Sequence, residues 1–152
     1  MPIKSFRGQI ADEGIETISL HTNDGSTGYR IVKFQLMATD PAVTNSESTV
    51  KVFSVPQTGT PTSTIDFSDN TLIAAGYIEN DSSSNYLGGD IVIFDNITFN
   101  QDIYLTCQNK STADGVNYHI ELEMVKLDLN ENTVATLKDI RNIEAQWANN
   151  II

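Results

Sequence analysis

Between residues 117 and 124 apolar and polar positions alternate. Tyr118, Ile120, Leu122 and Met124 are interleaved with His119, Glu121 and Glu123. A period of two marks a strand with one buried face and one wet face. The phase then shifts, because Val125, Leu127 and Leu129 occupy the parity that had been polar. Two geometries fit that shift. One is a β-bulge near Met124–Val125. The other is a strand whose second half is covered on its other side, by the C-terminal segment or by a partner chain.

The same reading places strands elsewhere. Residues 3–10 and 15–22 read as two short strands around a turn at 11–14, with Ile18 and Leu20 alternating with Ser19 and His21. Residues 22–28 are a dense turn cluster in which Asn23, Asp24 and Gly25 tolerate left-handed backbone. Residues 29–37 form a clear strand, with Val32, Phe34 and Leu36 expected on one face and Lys33 and Gln35 on the other. Residues 49–55 are a strand stopped by Pro56, and 57–64 read as an exposed extended loop. Residues 71–78 are strand or short helix, since Ala74, Ala75 and Gly76 weaken both. Residues 81–90 are a Ser/Asn/Gly-rich loop. The wholly apolar run 91–94 reads as a core strand. In the strand at 102–107, Ile103, Leu105 and Cys107 share a face. Strands at this spacing, broken by turn clusters, predict an all-β antiparallel β-sandwich, jelly-roll-like or immunoglobulin-like.

After residue 129 the period changes. Val134, Leu137, Ile140, Ile143 and Trp147 fit one face of a short C-terminal helical segment, which Asn130 or Asn132 could cap. A competing reading folds 133–138 back as a hairpin strand. The expected organisation is a sandwich domain over 1–133 and a helix or tail over 134–152, part of the same domain or a contact arm.

Composition narrows the functional classes. The chain has 152 residues, enough for one domain with a real core. Its 20 acidic and 9 basic residues give a net charge of −11, which repels phosphate backbones, so no nucleic-acid partner is expected. No apolar run is long enough to cross a bilayer, so no membrane partner is expected either. The N-terminal residues include basic side chains with no apolar stretch behind them and do not read as a secretory signal. The single cysteine, Cys107, reads as a buried free thiol made in a reducing compartment.

Candidate chemistry is sparse. His119, Glu121 and Glu123 share a strand face and could offer a divalent metal an imidazole and two carboxylates. The same alternation is what a solvated sheet face produces, and no metal or other cofactor is expected. Asp66 and Asp69 suggest a calcium turn but lack the full loop pattern; an Asx turn suits them better. Only His21 and His119 could serve as imidazole bases, and neither sits in a nucleophile motif. The chain is therefore read as a non-enzyme. Tyr86 is the one aromatic expected to stand exposed for sugar binding.

Several stretches resemble a family of small proteins of marine tailed bacteriophages, including phages of cyanobacteria and other abundant ocean bacteria. They are Ser5 to Gly8, Leu20 to Gln35, Ile65 to Leu72, Ile93 to Asn96, Phe99 to Tyr104 and Val125 to Arg141, most of the chain. The resemblance implies phage origin and a non-enzymatic virion component made in the bacterial host cytoplasm. The first expectation is a capsid decoration (cement) protein, homo-oligomeric with a trimer as one option, whose partners are the major capsid protein or other virion proteins. The alternative is a tail, neck or fibre module that binds host-surface carbohydrate. The contact residues expected for such a role are Phe6, Arg7, Leu127, Leu129, Ile140, Ile143, Trp147 and Ile151.

Overall fold

A computed structural model describes residues 2–23, 25–42, 46–80, 91–110 and 112–127. Its elements are β1 (Ile3–Ile10), β2 (Ile15–Ile18), β3 (Thr27–Ala38), β4 (Ser46–Phe53), β5 (Leu72–Asn80), β6 (Ile91–Phe94), β7 (Ile103–Asn109) and β8 (Val116–Lys126). They form two antiparallel sheets, ordered β1-β8-β3 and β2-β7-β4-β5-β6. The described residues are all-β and contain no helix. The predicted C-terminal helix, its hairpin alternative and the loop at 81–90 lie outside them. The stretch at 71–78, open between strand and helix in the sequence, is strand from Leu72 onward.

The sheets pack face to face in a sandwich-like arrangement. Inward side chains of both sheets meet in one core cluster: Ile120, Leu122 and Phe34 from the first, and Val50, Val52 and Leu105 from the second. Each is at most 1% exposed, and burying a side chain of this size contributes roughly 1.5–3 kcal/mol. Ile103, Leu105 and Cys107 share the inner face of β7 as their alternation requires, all fully buried.

Pairing follows a simple rule. β1 lies beside β8, β2 beside β7 and β4 beside β5, as in one long hairpin ribbon with its bend between β4 and β5. Rolling that ribbon brings β8 against β3 and β7 against β4, which is also observed. The remaining ribbon pair, β3 with β6, is not among the strand neighbours; β3 instead makes an isolated bridge from Tyr29 to Phe99, past the end of β6. β6 itself stays on β5.

The expected bulge near Met124–Val125 is not where the register breaks. β8 pairs regularly with β3 through Lys126, and the shift lies in β3, where Ile31 faces Leu122 and Lys33 faces Glu121. Val32 is the extra residue. The bulge reverses the parity of β3, so Tyr29 and Ile31 before it and Phe34 and Leu36 after it all face the core. Val32 therefore does not share a face with Phe34 and Leu36, and it is 38% exposed against their 1% and 5%.

A second correction concerns β6. It is an edge strand and not a core strand: Ile91 is 45% and Ile93 49% exposed, and only Val92 packs on the main core. Four apolar residues read alike at a sheet centre and at a sheet edge.

The outer face of the five-stranded sheet is covered by the β4–β5 connection. Ile65 packs on Phe53, Leu72 and Ala75. Lys51 Nζ donates to Thr62 Oγ1 at 3.2 Å and to the Thr64 carbonyl at 2.9 Å. Burial lowers the Lys51 pKa, against the pull of nearby Asp69, so the ammonium clamps the connection in a poorly hydrated place.

Candidate binding face on the three-stranded sheet

The register aligns the outward side chains of the three-stranded sheet in cross-strand rows. Ser5, Glu121 and Lys33 form one row, Arg7, His119 and Gln35 the next, and Gln9, Asn117 and Met37 the third. Directly opposed residues in antiparallel strands stand close enough for their side chains to interact. Gln9 Nε2 donates to Asn117 Oδ1 at 3.2 Å. A groove of about 710 Å³ is lined by residues 7–8, 35–37 and 117–119 and by Val92. Its described lining joins outward residues of this sheet, Arg7, Gln35, Met37, Asn117 and His119, to residues on the inward side of their strands, Gly8, Leu36 and Tyr118, and to Val92 of β6.

His119, Glu121 and Glu123 do share this face. They are strung along β8 at steps of about 7 Å, too far apart to close on one ion. Glu123 is paired with Arg30. Among the described residues no three metal-ligating side chains converge. Asp66 and Asp69 form two successive Asx turns: Asp66 Oδ1 accepts from the Ser68 N–H at 2.9 Å, and Asp69 Oδ1 from the Thr71 N–H at 2.8 Å. The Ser68 hydroxyl and N–H hold the Asp66 carboxyl below its ordinary pKa.

Neither a protein-family model nor a curated protein matches the chain.

Of the expected contact residues, Arg7 stands exposed on the outer face. Phe6 lies one residue away on the inner side, half-buried against the core. Leu127 is half-buried over Gly28: its two Cδ atoms lie 3.1 Å from where a Cβ on Gly28 would stand, and Thr98 Cγ2 lies 2.9 Å from that point. Its N–H donates to the Ser26 carbonyl at 2.9 Å. Part of the phase shift after Met124 is thus absorbed within the chain, by a glycine that leaves room for Leu127. Leu129, Ile140, Ile143, Trp147 and Ile151 lie outside the described residues, as does Tyr86.

The sequence reading missed a pair that the fold assembles. His21 Nδ1 lies 2.7 Å from Asp102 Oδ1, and the same oxygen accepts the backbone N–H groups of Leu20 and His21. The partners are 81 positions apart in sequence, and no local pattern links them. The pair fastens the segment after β2 to the residue before β7.

Proposed function

We propose that this chain is a jelly-roll structural protein of a tailed-phage particle, most simply a capsid decoration protein. The supporting observation is the rolled-ribbon pairing of first strand with last, second with seventh and fourth with fifth. That winding suits a jelly-roll architecture, of the kind that recurs in viral capsid domains, with β6 held on β5 and not on β3. Fold alone does not fix function; the resemblance to marine phage proteins adds the setting. Ile3, Ile91 and Ile93, exposed on edge strands, offer apolar anchors for neighbouring subunits, and the acidic surface suits basic capsid groups. Arg7 and the segment with Leu129, Ile140, Ile143, Trp147 and Ile151 are the proposed contacts, and the protein would act as a homo-oligomer. Mass spectrometry of purified virions should find the chain in fixed proportion to the major capsid protein. Its absence from virions would end this reading.

A second reading, a tail, neck or fibre module for host-surface carbohydrate, is favoured by one observation, the groove that takes in the outward Arg7, Gln35, Asn117 and His119 of the three-stranded sheet.

A further inference from the structure

We propose that this groove binds a carboxylate-bearing sugar, with Arg7 and His119 taking the carboxylate and the amides of Gln35 and Asn117 taking hydroxyls. The cellular source of the sugar rests on the carbohydrate-binding reading; the binding itself does not.

The Arg7–His119–Gln35 row crosses the sheet, spanning two inter-strand spacings, or roughly 10 Å. All three residues sit on paired strands, which hold a site more accurately than loops do. Among the described residues Arg7 has no ion-pair partner, whereas Arg30 is paired with Glu123 and His21 with Asp102. Its guanidinium is free for the bidentate geometry that a carboxylate presents. Met37, 68% exposed in the adjoining row, offers an apolar surface for the C–H face of a sugar ring.

Charge points the same way. The chain carries −11 overall, yet the described lining of the groove contains neither Asp nor Glu. Among the described residues the next carboxylate on this face is Glu121, one row along and opposed by Lys33. A phosphate group would call for several cations, and a neutral sugar would not need Arg7. One guanidinium flanked by an imidazole and two amides fits a single carboxylate among hydroxyls.

The test uses the purified chain with oligogalacturonate as probe and a neutral malto-oligosaccharide as control, read by calorimetry or ligand-observed NMR. Oligogalacturonate should bind at least tenfold more tightly than the control. Arg7→Gln should weaken it at least tenfold, His119→Ala several-fold, and Lys33→Gln, one row away, not measurably. Arg7, His119 and Lys33 all lie on the outer face, so circular dichroism should show each variant folded. Absence of uronate binding, equal binding by Arg7→Gln, or an equal loss from Lys33→Gln would overturn the inference. Binding by a chain that is missing from phage tails would leave the site standing and remove the tail reading.

Discussion

Tyr118 of β8 reaches across the sandwich and donates its phenolic proton to Glu16 of β2 at 2.9 Å. The bond joins the two sheets, and its geometry requires Gly8. A Cβ at Gly8, the register partner of Tyr118, would lie 2.7 Å from the phenolic oxygen and 3.0 Å from Cζ. Gly8→Ala should therefore destabilise by about 1–3 kcal/mol through overpacking. Tyr118→Phe should cost about 1 kcal/mol for the lost hydrogen bond. The double variant should lose less than the sum, because the phenylalanine relieves the closest contact; full additivity in urea titrations would contradict this. Burial, then the Glu16 bond, pushes the phenol up to about 12. A raised tyrosine pKa means that stability is intact below the unfolded value near about 10 and falls as pH climbs from there toward the folded value. Burial, then Asp102, also raises Tyr104, so absorbance titration should show late ionisation among the five tyrosines whose amplitude falls in Tyr118→Phe.

The bulge at Val32 predicts an asymmetry between substitution and deletion. Val32 is part-exposed, so Val32→Thr should change stability by no more than about 0.5 kcal/mol. Deleting the residue removes the parity reversal and turns either Tyr29 and Ile31 or Phe34 and Leu36 to the outer face. Loss of the cooperative unfolding transition is expected for the deletion, and a native-like midpoint would refute the assignment.

Asp102 should contribute to acid sensitivity. Burial pushes its carboxyl up, but hydrogen bonds from the His21 backbone and ring and from the Leu20 N–H, with the nearby His21 charge, outweigh that and hold it below the ordinary range. A carboxylate with a lower pKa folded than unfolded adds stability that is complete above the unfolded value of about 4. That stability is lost as pH falls through the folded value. Asp102→Asn should cost about 1–2 kcal/mol at neutral pH, with the gap to wild type closing in strong acid. A gap that stays constant across that range would show that the carboxylate charge is not responsible.

Cys107 is fully buried, and burial, with a smaller push from Asp12, raises its thiol to about 12. Since the thiolate is the reactive form, a thiol-disulfide reagent at mildly alkaline pH should leave the native protein untouched and modify it completely in denaturant. Rapid modification of the native form would contradict the packing.

The sequence displayed much of this, and particular residues show where it stopped. The inner and outer faces of β8 were plain, because an uninterrupted alternation of eight residues admits one orientation. β3 was misaligned because a bulge leaves no mark when its extra residue is valine, as apolar as its neighbours. β6 was placed in the core because an edge strand and a central strand of four apolar residues look alike, and only pairing distinguishes them. The Arg7–His119–Gln35 row was invisible for a related reason. Each residue reads as an ordinary outward position, and only the register of three distant segments sets them side by side. Gly8 carries no turn signal and Gly28 reads as the end of the turn cluster at 22–28, yet both stand in strands, and their smallness leaves space for Tyr118 and Leu127.

The central strand of the smaller sheet is also the last to leave the ribosome among those described. β1 and β3 are not neighbours in the sheet; β8 is the strand that each pairs with, and β3 has besides it only the bridge from Tyr29 to Phe99. During synthesis these two strands wait with open edges until residues 116–126 emerge, while β4 and β5 can already form a hairpin. Folding should therefore be slow and all-or-none at its end, as expected where the decisive contacts join distant parts of a chain. A nascent chain arrested before β8 would expose two unpaired strand edges to its neighbours on the same message, so the timing of one strand governs whether the protein folds or aggregates.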